Sequence, residues 1–288
     1  MKTYLECFPC FLNQALRAGR IATNDERKIK RILDEVGMML KDIPFESTPP
    51  ASGKMIYKKV SEISGVPDPY KKIKEESTEK CLSLYPSLKN LVEKSNDKLL
   101  TAIRIAIAGN VIDFGANREF DIEEEIEAAL TRDFAVCDYP EFKDRLNEAD
   151  EIMYIGDNAG ECVFDRILIE TMKKPVIYVV RGAPVINDAT YEDAVQAGID
   201  RVATILSSGT DAPGTILDTC SAEFMKVFES AGFIISKGQG NYEALSDEKR
   251  PIFFVLKVKC HVIANDMGLT EGDMVLKGKN EDYNYLRQ

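Results

Sequence analysis

Residues 150–188 read DEIMYIGDNAGECVFDRILIETMKKPVIYVVRGAPVIND, and the pattern of this stretch decides the fold. Ile152, Met153, Tyr154 and Ile155 form a short apolar run that ends abruptly at Gly156. Val163, Phe164, Ile167, Leu168 and Met172 then recur at helical spacing, and Lys173, Lys174 and Pro175 stop that helix. A second apolar run, 176–180, reads as a buried strand. Strand, helix and strand in this order imply a parallel pair joined by a right-handed crossover. Ligands of such sheets sit beyond the carboxyl ends of the strands. Asp157 and Asn158 leave the first strand there, and Asn187 and Asp188 lie one short loop beyond the second. Two carboxylates and two amides are therefore expected to converge on one crevice.

Outward from this unit the chain divides by pattern. After Ala149, candidate strands at 151–155, 175–180, 201–206, 233–236, 251–257 and 273–276 alternate with helices that include 190–197 and 219–231. That alternation predicts a mostly parallel sheet covered on both faces. Residues 1–149 read as all helix. Thr23 or Asn24 can cap a helix with the stripe Ile29, Ile32, Leu33, Val36 and Leu40. Ser52 precedes another, and Gly65-Val66-Pro67-Asp68-Pro69 is a break. A helix follows to Tyr85. Pro86 fits the first turn of the next, and Asp121 is a cap for an acidic helix. The expectation is an α/β protein: a three-layer, Rossmann-like α/β/α region at 150–288, with a helical region at 1–149 capping the sheet and the site between them.

Composition narrows the function. The chain has 288 residues, 44% of them hydrophobic, which is enough for a sizeable core. A net charge of −11 argues against nucleic acid and against anionic membrane. No apolar run is long enough to span a bilayer, and residues 1–7 do not form a signal peptide. Seven cysteines in that context predict reduced thiols and a cytoplasmic location. The single histidine, His261, excludes sites that need two imidazoles. Nothing in the sequence fixes the oligomeric state.

Three readings compete for Gly156-Asp157-Asn158-Ala159-Gly160. It is a glycine turn with Asn158 as a helix cap, a dinucleotide or methyl-donor loop, or a metal site. The second lacks the G-x-G-x-x-G fingerprint, and Arg181 stands at the end of the second strand where such folds carry an acid. Asp and Asn oxygens suit a hard divalent cation, and Asp188 completes a three-ligand set with Asp157 and Asn158. Other loops follow strands at the same edge. Residues 207–215, with Ser208, make a candidate anion cradle or an ordinary polar loop. Lys237-Gly238-Gln239-Gly240-Asn241-Tyr242 and Lys259-Cys260-His261 are two more. Gly109-Asn110 closes an apolar helix. Cys7 and Cys10 form a CxxC, half of a zinc site or simply buried thiols.

Taken together, GDNAGE at 156–161, RGAPVINDAT at 181–190, KGQGNY at 237–242 and Lys259-Cys260 resemble the metal-dependent damage-control phosphatases, once catalogued only as a domain of unknown function. The likeness covers nearly the whole chain, including 109–113, and the CxxC with Lys259-Cys260 resembles the stand-alone microbial branch. The resemblance implies a divalent ion (manganese, nickel, cobalt or magnesium) and hydrolysis of phosphate monoesters of small metabolites, such as sugar phosphates or damaged nucleotides. It implies metal ligation by Asp157, Asn158 and Asp188, and phosphate contact by Lys259. Gln239, Asn241 and Tyr242 fall in the family's substrate loop, and Asn110, Lys237 and Ser208 are further candidate contacts. Asp157 or Asp188 would orient the attacking water. Gln239 and Glu243 depart from related branches, which carry an acid and an arginine there, so the substrate stays open. An aspartyl-phosphate route is disfavoured because Ala159 breaks the D-x-D spacing. Cys7, Cys10 and Cys260 are expected near the site, where they would bind a second metal, form a redox switch, or pack. Two rival functions are a methyltransferase using S-adenosylmethionine to modify carboxylates, and a non-catalytic metabolite-binding or redox module.

Overall fold

The computed structural model describes residues 1–109 and 122–279. Asn110 and the Asp121 cap lie outside the described residues. In chain order the helices and strands are α1 (Cys7–Ala22), α2 (Glu26–Leu40), α3 (Pro49–Ser64), α4 (Lys71–Lys94), α5 (Lys98–Gly109), α6 (Ile122–Thr131), β1 (Phe134–Cys137), α7 (Tyr139–Glu148), β2 (Ile152–Ile155), α8 (Cys162–Met172) and β3 (Val176–Val180). They continue as α9 (Tyr191–Gln196), β4 (Thr204–Ser207), α10 (Ala222–Ser230), β5 (Ile234–Lys237), α11 (Gln239–Leu245), β6 (Ile252–Lys257), α12 (His261–Met267) and β7 (Met274–Gly278).

The strands form one sheet in the order β1-β7-β6-β5-β2-β3-β4. The pairs β2–β3, β3–β4, β2–β5 and β5–β6 are parallel, and β6–β7 is antiparallel. The chain moves outward from β2 through β3 to β4 and then returns to β5 on the other side of β2. The carboxyl ends of β2 and β5 therefore flank a topological switch point, where such sheets open a crevice.

Side chains of β2 alternate between two cores, as the pleat requires. Ile152 and Tyr154 pack with Ile103, Ile107, Phe142, Phe164 and Leu168 on one face. Met153 and Ile155 pack with Phe11, Ile32, Ile56, Phe224 and Ile263 on the other. The helical region expected at 1–149 thus contributes residues to both cores. Helices α1–α3 pack on one face with α10 and α12, and α4 and α5 on the other with α7 and α8, so both halves of the chain build the outer layers. The all-helix reading of 1–149 is corrected by β1, which pairs in parallel with β7. Its four residues, Phe-Ala-Val-Cys, alternate between half-buried and exposed and are too short to announce a strand.

Local signals explain the shifted boundaries. Asp25, rather than Thr23 or Asn24, caps α2, accepting from the backbone of Arg27 and Lys28. The helix expected at Ser52 begins earlier, at Pro49, because proline suits the first turn. Pro86 starts no new helix; it sits inside the 24-residue α4. The segment 201–203 precedes β4 and is not strand.

Lys74 of α4 ties the helices to the sheet edge. Its buried ammonium lies 3.0 Å from Asp68 and 2.9 Å from Asp193. Burial opposes its charge, but Asp193 and Asp68 outweigh that and raise its pKa. Asp193 also takes bonds from the backbone and hydroxyl of Thr190. Lys74→Met should cost on the order of 3 kcal/mol, because two carboxylates lose their cation. A urea midpoint unchanged from the parent would refute that.

Candidate active site

Two loops form the floor of the crevice. One leaves β2 and the other leaves β3, and they are joined as a short antiparallel bridge between Asn158 and Asp188. Ala189 N donates to Asp157 O at 2.8 Å, and Ala159 N donates to Asn187 O at 2.9 Å. The β3 loop reaches this position through Ile186, whose φ of 39° is a rare conformation for a β-branched residue. Such strain is held only where the surroundings enforce it, and here it delivers Asp188. Asp157, Asn158 and Asp188 are thus brought together as expected, all three buried. Asn158 makes no helix cap: the cap position of α8 falls at Glu161. Gly238, at the end of β5, has φ 77°, and a Cβ there would fall on the Asp157 carboxylate. The crevice thus needs glycine at that point.

The electrostatics describe an unbalanced pair of acids. Burial raises the Asp157 pKa, and the charges of Asp188 and Glu161 add to the rise, while Lys259 and Arg181 pull it down. Asp188 is raised by burial as well, with Arg181 opposing. Arg181 is fully buried at the end of β3. Its Nε donates to Asp188 Oδ2 at 2.7 Å, and its Nη2 lies 4.0 Å from Asp157 Oδ1. Its other bonds go to Thr215 Oγ1 and Asn241 Oδ1. Two acids thus share one guanidinium in a pocket lined with hard oxygens.

Among the described residues no group of three or more His, Cys, Asp or Glu side chains converges to hold a metal ion. A cation in the crevice would therefore rest on two carboxylates and the Asn158 carbonyl, with water and substrate filling the remaining positions. That donor set fits an ion of the magnesium or manganese type, which retains several waters. It does not fit a soft metal.

The remaining expected residues divide sharply. Lys259 is exposed beyond β6, and its charge acts on both Asp157 and Asp188. Gln239 holds the Lys259 turn in place by accepting from Lys259 N at 3.1 Å, and its Nε2 donates to Glu243 and to Cys260 Sγ. Four others make internal contacts. Lys237 is wholly buried, donating to Ala106 O at 2.9 Å, Glu161 at 2.5 Å and Asp165 at 2.6 Å. Asn241 Oδ1 accepts from Arg181 and Thr215, and its amide nitrogen donates to Gly156 O and Lys237 O. Tyr242 donates to Asp266 and packs on Phe254. The fully buried Ser208 donates to Val180 O.

Cys7, Cys10 and Cys260 share one neighbourhood. Burial raises the Cys7 thiol pKa, and Cys10 and Cys260 are close enough to add to the effect. Burial raises Cys260 too, which makes both thiols less nucleophilic than usual. All seven cysteines are free, and among the described residues no second metal cluster forms from these three.

Sequence reasoning missed Arg181, Glu161 and Asp165 as parts of the site's support. Arg181 and Glu161 stand inside the quoted motifs, and their strand-end and loop positions are the available signal.

Residues 3–275 match the family described as "Damage-control phosphatase ARMT1-like domain", so the match runs through both halves of the chain. A damage-control phosphatase of Archaeoglobus fulgidus is 36% identical over 96% of this chain and 99% of its own length. The damage-control phosphatase PH1575 of Pyrococcus horikoshii is 34% identical over 96% of this chain and 97% of its own length. The crystal structure of a DUF89 family protein from the same archaeon superposes with a TM-score of 0.87 at 33% identity, covering 97% of this chain and all of that one.

Proposed function

This chain belongs to the damage-control phosphatase ARMT1-like family, and on that premise we propose that it hydrolyses phosphate monoesters of small metabolites with a divalent cation held by Asp157, Asn158 and Asp188. The observation that carries the reading is the Asn158–Asp188 bridge, which places two buried carboxylates and an amide on one floor at the switch point of the sheet. When bound, a cation of the manganese, nickel, cobalt or magnesium type supplies charge on a phosphoryl oxygen and a water of lowered pKa. Asp157 or Asp188, both raised by burial above the ordinary carboxylate value, orients that water or takes its proton. The Lys259 charge acts on the same acids and would neutralise charge on the phosphoryl group. Gln239 holds the Lys259 backbone in place. The Lys237 ammonium bonds inside the protein, so we assign phosphate contact to Lys259.

No helix among the described residues is long and apolar enough to cross a membrane. With seven free thiols, a cytoplasmic location fits best. The methyltransferase and the silent-module readings gain no support from the relatives named above.

A screen of phosphometabolites against divalent metals tests the function, and activity that persists in excess chelator would sink it. Lys259→Ala should lower turnover by roughly 10²–10³-fold, the effect of removing one charge-stabilising donor. Metal affinity by calorimetry should stay near the parent value, since an ammonium cannot be a ligand. A large fall in metal affinity, or an unchanged turnover, would refute the role.

A further inference from the structure

Beneath the crevice lies a buried polar network that the reaction itself does not use. Lys237 joins Glu161 and Asp165. Asp165 takes the hydroxyls of Tyr154 and Tyr178 at 2.7 and 2.8 Å. The chain of bonds reaches the crevice through Asn158, whose Nδ2 donates to Glu161 Oε2 at 3.2 Å and to Asp157 Oδ2 at 3.1 Å.

This arrangement fixes which end of the Asn158 amide faces the crevice. Its nitrogen lies between two carboxylate oxygens. Rotating the amide by 180° would place its oxygen against the Glu161 carboxylate, already paired with the Lys237 ammonium, and leave no donor between them. Glu161 cannot relax to allow it, because its other oxygen is held by the Lys237 ammonium. Lys237 is in turn held by Asp165 and by the carbonyl of Ala106 near the end of α5.

We infer that Glu161 is a positioning residue, anchored by Lys237, that keeps the Asn158 carbonyl oxygen turned toward the cation site. The inference rests on the proposed metal site. It assigns to Glu161 a role in metal affinity that a merely structural core acid would not have.

The test exploits a conflict of donors. In Glu161→Gln an amide replaces a group whose two oxygens both receive hydrogen bonds. One end of the introduced amide must then present a donor to a donor. The ammonium of Lys237 has no acceptor to offer, so the conflict falls on Asn158, whose amide turns and aims nitrogen at the cation. Calorimetric titration of the full chain with Mn²⁺ should show affinity reduced roughly 10–100-fold, the usual effect of losing an outer partner of a metal ligand. Adding Asn158→Asp to that variant should restore most of the loss. The new carboxylate can accept from the introduced amide and still offer an oxygen outward, so the double-mutant cycle should be strongly non-additive. A folded Glu161→Gln protein that binds Mn²⁺ as the parent does would overturn the inference, as would a rescue that fails.

If Glu161→Gln does not fold, the parent still decides the matter. With asparagine side chains ¹⁵N-labelled, the Asn158 amide protons should exchange with deuterium slowly, both with and without Mg²⁺. Exchange as fast as that of an exposed asparagine would overturn the inference. Failure of the metal site itself is distinguishable: the parent would then bind no divalent cation, before any variant is compared.

Discussion

Asp157→Ala should lose at least about 10³-fold in phosphomonoester turnover, since several kcal/mol of transition-state charge stabilisation go with the cation and each 1.36 kcal/mol is tenfold. The protein should nevertheless stay folded, and in chelator it should melt no lower than the parent. Burial, and then the charges of Asp188 and Glu161, push the Asp157 carboxyl up to about 8 from its ordinary value near 3.8. The folded metal-free state therefore holds a proton that the unfolded chain releases at much lower pH. Stability from this group is fully present below about pH 4 and is lost as pH rises toward 8. Thermal melts in chelator should fall across that window for the parent and fall less steeply for Asp157→Ala. Mn²⁺ should flatten the parent's curve by replacing the proton as counter-charge. A variant that still turns over, or parental melts that rise with pH in chelator, would contradict the account.

Lys237→Met should be the most damaging single change to stability, at roughly 3–5 kcal/mol, because breaking a buried pair leaves its partner uncompensated. Here two carboxylates, Glu161 and Asp165, lose one cation at once. In the parent, Asp165 and Glu161 outweigh the burial that opposes the Lys237 charge, so the lysine pKa is raised. Asp165 is itself raised by burial even with Lys237 opposing, so in the variant it should take up a proton more readily. The destabilisation should consequently be smaller at pH 5 than at pH 8. Urea unfolding at the two pH values measures this, and equal losses at both would show that Asp165 stays charged.

These two residues mark how far the sequence can be read. The unit 150–188 is legible because β2, α8 and β3 differ in period and end at glycine or proline, and two chemistry-bearing loops follow from their strand ends. Lys237 misleads for a physical reason. A lysine after an apolar run ordinarily reaches solvent. Only the three-dimensional approach of α5 and α8 encloses this one. Asn241 misleads likewise, since its partners Arg181, Thr215 and Gly156 lie 26 to 85 residues away. Pro86 in α4 and the four-residue β1 are hidden because tertiary packing overrides local propensity in both.

Strand β1 has a further consequence, for the order of folding. Its register partner for Phe134 is Met274, so this pairing closes a loop spanning nearly half the chain. The closure entropy grows only slowly with length, but no contact along β1 is rewarded until β7 has been made. During synthesis helices α1–α6 emerge before β1, the first strand among the described residues. Their apolar stripes must wait for β2, β5 and β6, and the β1 edge must wait for β7. The expected last event is the docking of β1 on β7, so a chain released before residue 274 would carry an unpaired edge and two partly uncovered helical layers, the kind of surface that aggregates.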